Sequence, residues 1–179
     1  MYTIKLFTLL FTLLVTLLLG ACATLDQNSS SSALDRNAKW ALLPIINHTD
    51  VPQAGLRAEA ITEVLLRSRQ ISNLRRYPPT LNPDSLFEPA ERKAALDAMN
   101  WAREQGMRYA VTGAVDEWHY KVGIDGEPAV GMTLQIIDLK DGDRVVWSAA
   151  GAKSGWSRDA LSAVAQDLIN DLLDGASLK

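Results

Sequence analysis

Two hydrophobic patterns follow one another between residues 39 and 69. Residues 40–46, WALLPII, form an almost unbroken apolar run that ends in turn-forming residues, and such a run predicts a strand buried on both faces. Pro44 has no N–H to donate, so the pairing of this strand is expected to be disturbed there. From Ala54 onward apolar residues recur about one helical turn apart, which predicts a helix packed back onto the strand. Strand, turn and helix together predict the nucleus of a layered fold.

The rest of the pattern predicts further strands and helices. Three runs rich in apolar residues predict strands at residues 109–118, 129–137 and 144–149. Residues 71–77 predict a further strand, short and basic enough for the edge of a sheet. Helical spacing predicts two more helices, one from Glu88 to about Gly106 and one with Ser157 as its N-cap that ends near Gly175. Asp141-Gly142 is typical of the turn between the last two strands. The order β-α-β-α-β-β-β-α predicts an α+β fold (an α/β sandwich), with helices packed on a mixed sheet.

The first 22 residues have the composition of an export signal. Lys5 precedes an apolar run over residues 6–19, which has the length of a signal-peptide core and is short for a membrane span. The run ends in LGAC, which resembles a bacterial lipobox, and Cys22 is the only cysteine of the chain. We expect residues 1–21 to be a lipoprotein signal peptide and Cys22 to be lipidated; the alternative is an ordinary secretory signal. Because Ala23 rather than an aspartate follows, we expect a two-chain anchor in outer-membrane lipid, with the protein facing the periplasm.

The mature chain is expected to have a tether and a single domain. Residues 24–37 are serine-rich and lack periodicity, so we expect residues 22–37 to form a flexible tether. Residues 38–179 are predicted to form one α/β periplasmic domain, since a chain of 179 residues with 47% hydrophobic residues can bury one core. The formal charge of −3 is close to balance, and no Lys/Arg-rich face is present, which argues against a nucleic-acid partner.

Catalytic and metal-binding patterns are absent from the sequence. The two histidines, His48 and His119, lie in different segments, and no cysteine is left to bind a metal after lipidation. No glycine-rich loop follows the first strand, so no nucleotide cofactor is expected. Asp116 and Glu117 are adjacent on a predicted strand and should therefore point to opposite faces. We predict that the protein is not an enzyme and has no cofactor or metal.

Charge is segregated along the chain. Residues 116–143 contain seven acidic residues against two basic ones, whereas residues 57–76 contain five basic residues against two acidic ones. Acidic hairpin loops are common because they are solvated. The functional interpretation is an acidic pole at one end of the domain, which a closed ring would focus into a lumen. Opposite signs would also help subunits meet head to tail. The predicted pole consists of Asp116, Glu117, Asp125, Glu127, Asp141 and Asp143.

Three segments resemble the PelC family of outer-membrane lipoproteins in Pel exopolysaccharide export. They are the lipobox, residues 39–69 and residues 134–161 (LQIIDLKDGDRVVWSAAGAKSGWSRDAL), and the likeness covers nearly the whole chain. The resemblance implies a β-α sandwich subunit in a dodecameric ring on the inner leaflet of the outer membrane, beside the outer-membrane barrel PelB. It implies an electronegative funnel that guides a cationic amino-sugar exopolysaccharide. It also places the lipidated cysteine at Cys22 and an exposed, membrane-facing tryptophan at Trp156.

Other functions stay open at this point. A more distant likeness to the CsgG and LpoB periplasmic lipoproteins allows an LpoB-like activator of a peptidoglycan synthase, which would be monomeric. Such an activator usually needs a longer tether than residues 22–37 provide. A hydrolase is the third alternative and lacks a catalytic constellation. Trp156 itself lies in a predicted loop over residues 151–156, where packing against the last helix is the alternative to a membrane-facing position.

Overall fold

A six-stranded mixed sheet organises the domain. The structure is a computed structural model that describes residues 23–29, 33–78, 88–123 and 126–179. Its strands are β1 (Ala23–Ser29), β2 (Trp40–Asn47), β3 (Leu74–Arg76), β4 (Tyr109–Tyr120), β5 (Pro128–Asp138) and β6 (Arg144–Ser154). Its helices are α1 (Ala54–Ser68), α2 (Glu88–Glu104) and α3 (Leu161–Asp174). The spatial order is β1-β6-β5-β4-β2-β3; β2 runs parallel to both its neighbours, and the other pairs are antiparallel.

The predicted α+β fold and element order are confirmed from β2 onward, with two corrections near the C-terminus. The last strand does not end at Ala149 but continues to Ser154, because β5 and β1 both pair with this stretch. Ser157 is not the N-cap of α3, since Ala160 holds that position. A turn occupies the residues between them, in which the N–H of Trp156 donates to Asp159 Oδ2 at 2.7 Å.

The predicted flexible tether is in part a strand. Residues 23–29 form β1 and pair with β6 along their whole length, from Ala23 opposite Lys153 to Ser29 opposite Trp147. Leu34 is also buried in the core, and its N–H donates to the carbonyl of Ser177 at 2.7 Å. The tether prediction is therefore wrong for residues 24–29 and for Leu34, because the long β6 offers a free edge to a polar segment. The predicted signal peptide and Cys22 lie outside the described residues.

The two faces of the sheet are covered unequally. Helices α1 and α3 cover one face, where large side chains of β5 and β6 such as Leu134, Ile136 and Trp147 are buried. On the other face α2 packs through Ala98 and Ala102 on a smaller cluster from β2 and the start of β4. The part of this second face over β1, β6 and β5 has no helix above it among the described residues; we call it the open face. Small and polar side chains line it, including Asp26, Asn28, Thr133, Gln135, Ser148 and Ala150.

A buried ion pair ties α1 to an irregularity in β2. The pairing of β2 with β4 shifts register between Leu42 and Ile45, which confirms the disturbance predicted at Pro44. The N–H of Ile45 donates instead to Glu59 Oε1 at 3.1 Å. Arg76 of β3 donates to Glu59 Oε2 through Nε at 2.9 Å and Nη2 at 2.7 Å. Glu59 is only 4% exposed, and this burial raises the pKa of its carboxyl.

Candidate functional surface at one end of the sheet

The six residues of the predicted acidic pole do not lie together. In the meander β4-β5-β6, the β4–β5 connection lies at one end of the sheet and the β5–β6 connection at the other. The 11 residues of β5 separate these ends by about 35 Å. Asp116, Glu117 and Glu127 lie towards the β4–β5 end, and Asp141 and Asp143 lie at the β5–β6 end. The prediction of a single pole is therefore wrong, and Asp125 lies outside the described residues.

Arginines neutralise the carboxylates at the β5–β6 end. Arg144 pairs with Asp141 at 2.6 Å, and Arg103 of α2 pairs with Asp143 at 2.5 Å. Gly142 and Asp143 both have positive φ, which confirms a tight turn at Asp141-Gly142. These carboxylates hold the hairpin in shape and attach it to α2.

A β-bulge brings two carboxylates to one surface at the β4–β5 end. Val115 pairs with Met132 and Glu117 pairs with Gly131, so Asp116 is an extra residue in β4. Asp116 and Glu117 consequently line the same shallow groove, and the prediction that they point to opposite faces is wrong. Sequence reasoning from strict alternation could not detect this, because it assumes an unbroken ladder.

Both histidines lie beside these carboxylates. His48 Nδ1 is 2.9 Å from Asp116 Oδ1, and His119 Nε2 is 3.2 Å from Glu117 Oε1. His48 follows β2 and His119 lies in β4, so the fold joins residues that are far apart in sequence. These are exposed pairs, and among the described residues no group of three potential ligands could hold a metal ion.

Asp26 of β1 is a third carboxylate in the same groove. The groove has a volume of about 330 Å³ and a floor of small residues from β5 and β6, among them Gly131 and Ala150. Asp26 has no ion-pair partner among the described residues. Sequence reasoning missed it because its segment was assigned to the tether.

The β4–β5 end also carries exposed apolar side chains. Trp156 is 71% exposed, Tyr120 is half exposed and Val122 is fully exposed. The N–H of Gly155 donates to the carbonyl of Pro128 at 2.9 Å, which holds the Trp156 loop beside the β4–β5 connection. Trp156 is thus not packed in the core.

The first residue of β1 lies at this same end. Ala23 is opposite Lys153, three residues before Trp156. Cys22 is therefore one residue away in sequence from a strand end that lies beside the exposed apolar side chains. No helix among the described residues is long and apolar enough to cross a membrane.

Comparisons with known proteins were made for sequence and for fold. A scan against models of protein families finds no match, and a search of curated protein sequences finds none either. Among solved structures, a PelC dodecamer from Paraburkholderia phytofirmans is 40% identical, with a TM-score of 0.73, over 88% of this chain and 99% of that one. The chain belongs to the PelC family. A point variant of that PelC dodecamer from the same organism matches with 39% identity and a TM-score of 0.72, over 88% of this chain and all of that one.

A more distant match is to lipoprotein GNA1162 from Neisseria meningitidis. It is 14% identical, with a TM-score of 0.53, over 76% of this chain and 96% of that one. At this identity the likeness extends to the fold alone. The family resemblance noted in residues 39–69 and 134–161 is confirmed by the PelC structures.

Proposed function

We propose that this protein is a lipoprotein of a Pel exopolysaccharide export apparatus that forms a homo-oligomeric ring at the periplasmic side of the outer membrane. Membership of the PelC family supports the place in export, and two relatives at 39–40% identity are described as dodecamers. In this proposal the ring guides a cationic amino-sugar polymer to an outer-membrane barrel of the PelB type. The protein acts by binding and electrostatics and catalyses no reaction.

The observation that carries the proposal is the coincidence of three features at the β4–β5 end. The chain leaves β1 there towards Cys22, the exposed Trp156 lies there, and the carboxylates of Asp116, Glu117 and Glu127 lie towards it. Tryptophan favours the membrane–water interface because its ring is apolar and its N–H is hydrated. We therefore place this end at the membrane, where the polymer passes from the ring to the barrel.

β1 makes the anchor short. A free tether of about fifteen residues would let the domain move roughly 20 Å from the membrane. With β1 paired from Ala23, about 4 Å of backbone separates Cys22 from the sheet. Lipidation of Cys22 would then hold the β4–β5 end against the bilayer. An activator that must reach across the periplasm has no use for such an anchor, which argues against the LpoB-like alternative.

The polymer-guiding role falls on one half of the predicted acidic residues. Among the described residues, Asp116 and Glu117 each lie beside a histidine, and Glu127 lies 4.0 Å from Lys121. Asp141 and Asp143 are matched by arginines. At physiological ionic strength the Debye length is about 8 Å, so attraction of a polycation needs many carboxylates in a narrow space.

Matched neutralisations test this role. The triple variant Asp116→Asn, Glu117→Gln, Glu127→Gln should lower polymer secretion several-fold while the protein stays folded and assembled. The control variant Asp141→Asn, Asp143→Asn removes the two carboxylates at the β5–β6 end that pair with arginines, and should leave secretion near the wild-type level. Purified protein should bind deacetylated amino-sugar oligomers better at low salt than at high salt. Equal secretion by both variants would reject electrostatic guidance.

Two further measurements test the placement at the membrane. Cys22→Ser should remove the protein from outer-membrane fractions, and unchanged fractionation would reject lipidation. The emission of Trp156, taken as the difference between wild type and Trp156→Phe, should shift to the blue on vesicles of phosphatidylethanolamine and phosphatidylglycerol. A difference spectrum that vesicles do not change would reject the membrane-facing position.

A further inference from the structure

The open face is an uncovered flank of the sheet with a mild negative charge. Two adjoining shallow grooves of about 340 and 330 Å³ cross it and share Asp26, Thr133 and Ala150. Ala150, Asn28 and Gln135 are exposed, and no large apolar side chain rises between them. The sheet is thus flat enough here for another element of secondary structure to approach closely.

The outer surface of α1 has the complementary character. Its exposed residues recur at helical spacing and form one ridge, which consists of Arg57, Ala60, Val64, Arg67 and Ser68. Val64 is 66% exposed and lies in the middle of this ridge. Arg57 has no ion-pair partner among the described residues, whereas Arg67 pairs with Glu63 at 2.8 Å. The ridge offers a small apolar centre and a free positive charge.

We propose that the α1 ridge of one subunit docks on the open face of the next copy of this chain. Val64 would lie over the small residues around Ala150, and Arg57 would pair with Asp26. This contact lies over β6 and β1, so Asp116 and Glu117 of β4 stay open to the polymer on the other side of the groove. The neighbouring helix α3 fits this place less well than α1, because it has no lysine or arginine to pair with Asp26, and its Asp167, Asp171 and Asp174 pair with Lys153 and Arg69 of the same subunit. This inference rests on the proposed ring and specifies which surfaces build it.

This contact joins two different surfaces of the chain and can therefore repeat around a ring. The ridge and the open face lie on opposite sides of the sheet, so the contact is heterologous and repeats from copy to copy until the rotation closes. A sheet layer and a helix layer, each about 10 Å thick, give a repeat of about 20 Å. Twelve copies, as in the PelC relatives, would then make a circumference of about 240 Å and leave an open lumen. The neighbouring helix would also complete the second helical layer that α2 only begins.

Cysteine cross-linking of the full chain in membranes tests the contact directly. The chain has one native cysteine, Cys22, which lipidation blocks. Val64→Cys combined with Ala150→Cys should give a ladder of cross-linked oligomers with a short bismaleimide, while either substitution alone should give none. Leu96→Cys with Ala150→Cys is the matched control and should give no ladder, since Leu96 of α2 is as exposed as Val64 but lies outside the α1 ridge. Dimers from Ala150→Cys alone would show that open faces pair with each other. The absence of a ladder from the double variant would show that the α1 ridge does not lie on the open face. Either result overturns the proposal.

Assembly measurements separate this contact from the ring itself. Full-length protein in detergent should be oligomeric, and Val64→Arg and Ala150→Arg should each be monomeric with unchanged circular dichroism. A mixture of these two monomers should form dimers only, because each retains one intact surface. Reversing the charges together, Arg57→Asp with Asp26→Arg, should restore the assembly that each reversal alone weakens. A monomeric wild type would overturn the proposed ring, whereas an oligomeric Val64→Arg and Ala150→Arg would overturn only this contact.

Discussion

Replacement of Arg76 by methionine tests the buried ion pair that fixes α1 on the sheet. In the wild-type protein Nε and Nη2 of Arg76 donate to Glu59 Oε2, at 2.9 and 2.7 Å. The carboxylate also accepts from the N–H of Ile45. Methionine fills the space of the arginine stem without supplying charge. Glu59 would then be buried with one hydrogen bond and no countercharge.

The expected loss follows from the burial of the two partners. Leaving one member of a buried ion pair unpaired costs about 3–5 kcal/mol. The side chain of Arg76 is 23% exposed and that of Glu59 is 5% exposed, so water already screens part of the interaction. We therefore expect the free energy of unfolding to fall by about 3 kcal/mol at pH 7, at the lower end of this range.

The loss should depend on pH in a defined direction. Burial raises the pKa of Glu59 above its ordinary value of 4.5, although hydrogen bonds from Arg76 and Ile45 and the positive charge of Arg76 oppose this. A carboxyl with a raised folded-state pKa binds more protons in the folded state, so stability falls as the pH rises from 4.5 through that pKa. Without Arg76 the pKa of Glu59 rises further. The loss in free energy of unfolding caused by Arg76→Met should therefore become smaller as the pH is lowered from 7 towards 5.

Urea unfolding followed by tryptophan fluorescence at both pH values is the assay. Arg75→Met is the matched control, since Arg75 is the exposed neighbour in β3, and its side chain bonds among the described residues to Gln105 alone, at 2.9 Å. That control should change stability by less than about 0.5 kcal/mol. Adding Glu59→Gln to Arg76→Met should restore most of the loss, because glutamine still accepts from Ile45 without a charge. A loss below about 1 kcal/mol that does not vary with pH would refute the reasoning.

Three further predictions concern the packing of the domain. Gly55→Ala should destabilise the protein by about 1–3 kcal/mol, because a Cβ at Gly55 would overlap the carbonyl oxygen of Ile45. Gly123→Ala should be neutral in the same urea titration, because no described residue other than its chain neighbours has an atom within 4 Å of the added Cβ. Amide hydrogens of β1 should exchange with solvent as slowly as those of β6, and the rates of an unstructured peptide would contradict the strand. Lys153→Met should lower the free energy of unfolding by about 1 kcal/mol or less, because the lysine lies 2.9 and 3.8 Å from two exposed aspartates of α3. The loss should be smaller still at high salt, and a loss that does not depend on salt would indicate packing instead.

The fold was predictable where the hydrophobic period was strong. The run over residues 40–46 and the stripe that begins at Ala54 predicted β2 and α1 within one or two residues. A strand buried on both faces and a helix buried on one face each leave an unambiguous pattern. Glu59 shows the limit of this reasoning. It lies away from the apolar stripe, so the pattern gives no sign of its burial, whereas the register shift at Pro44 leaves an N–H that only a buried acceptor can satisfy.

β1 could not be predicted from its own residues. The segment over residues 23–29 is polar and has no alternation, so nothing in it favours a strand over a tether. It becomes a strand because β6 extends to Ser154 and leaves a row of unpaired backbone groups along its outer edge. Predicting β1 requires knowing how long β6 is, and the glycine and serine residues in the second half of β6 favour a loop there.

The division of the acidic residues follows from topology rather than from composition. Successive hairpins of a meander turn at opposite ends of the sheet, so acidic loops that follow one another in sequence are separated by the length of a strand. The two turns between residues 116 and 143 are therefore enough to put Glu127 and Asp141 at different ends of the sheet. The turns alone do not predict the bulge at Asp116, which directs two neighbouring carboxylates towards one groove. They also do not predict that Asp26 lines this groove, which depends on the pairing of β1. The surface on which the proposed polymer guidance and subunit contact both depend is thus a product of two irregular features, a bulge and a polar edge strand, that hydrophobic patterning does not encode.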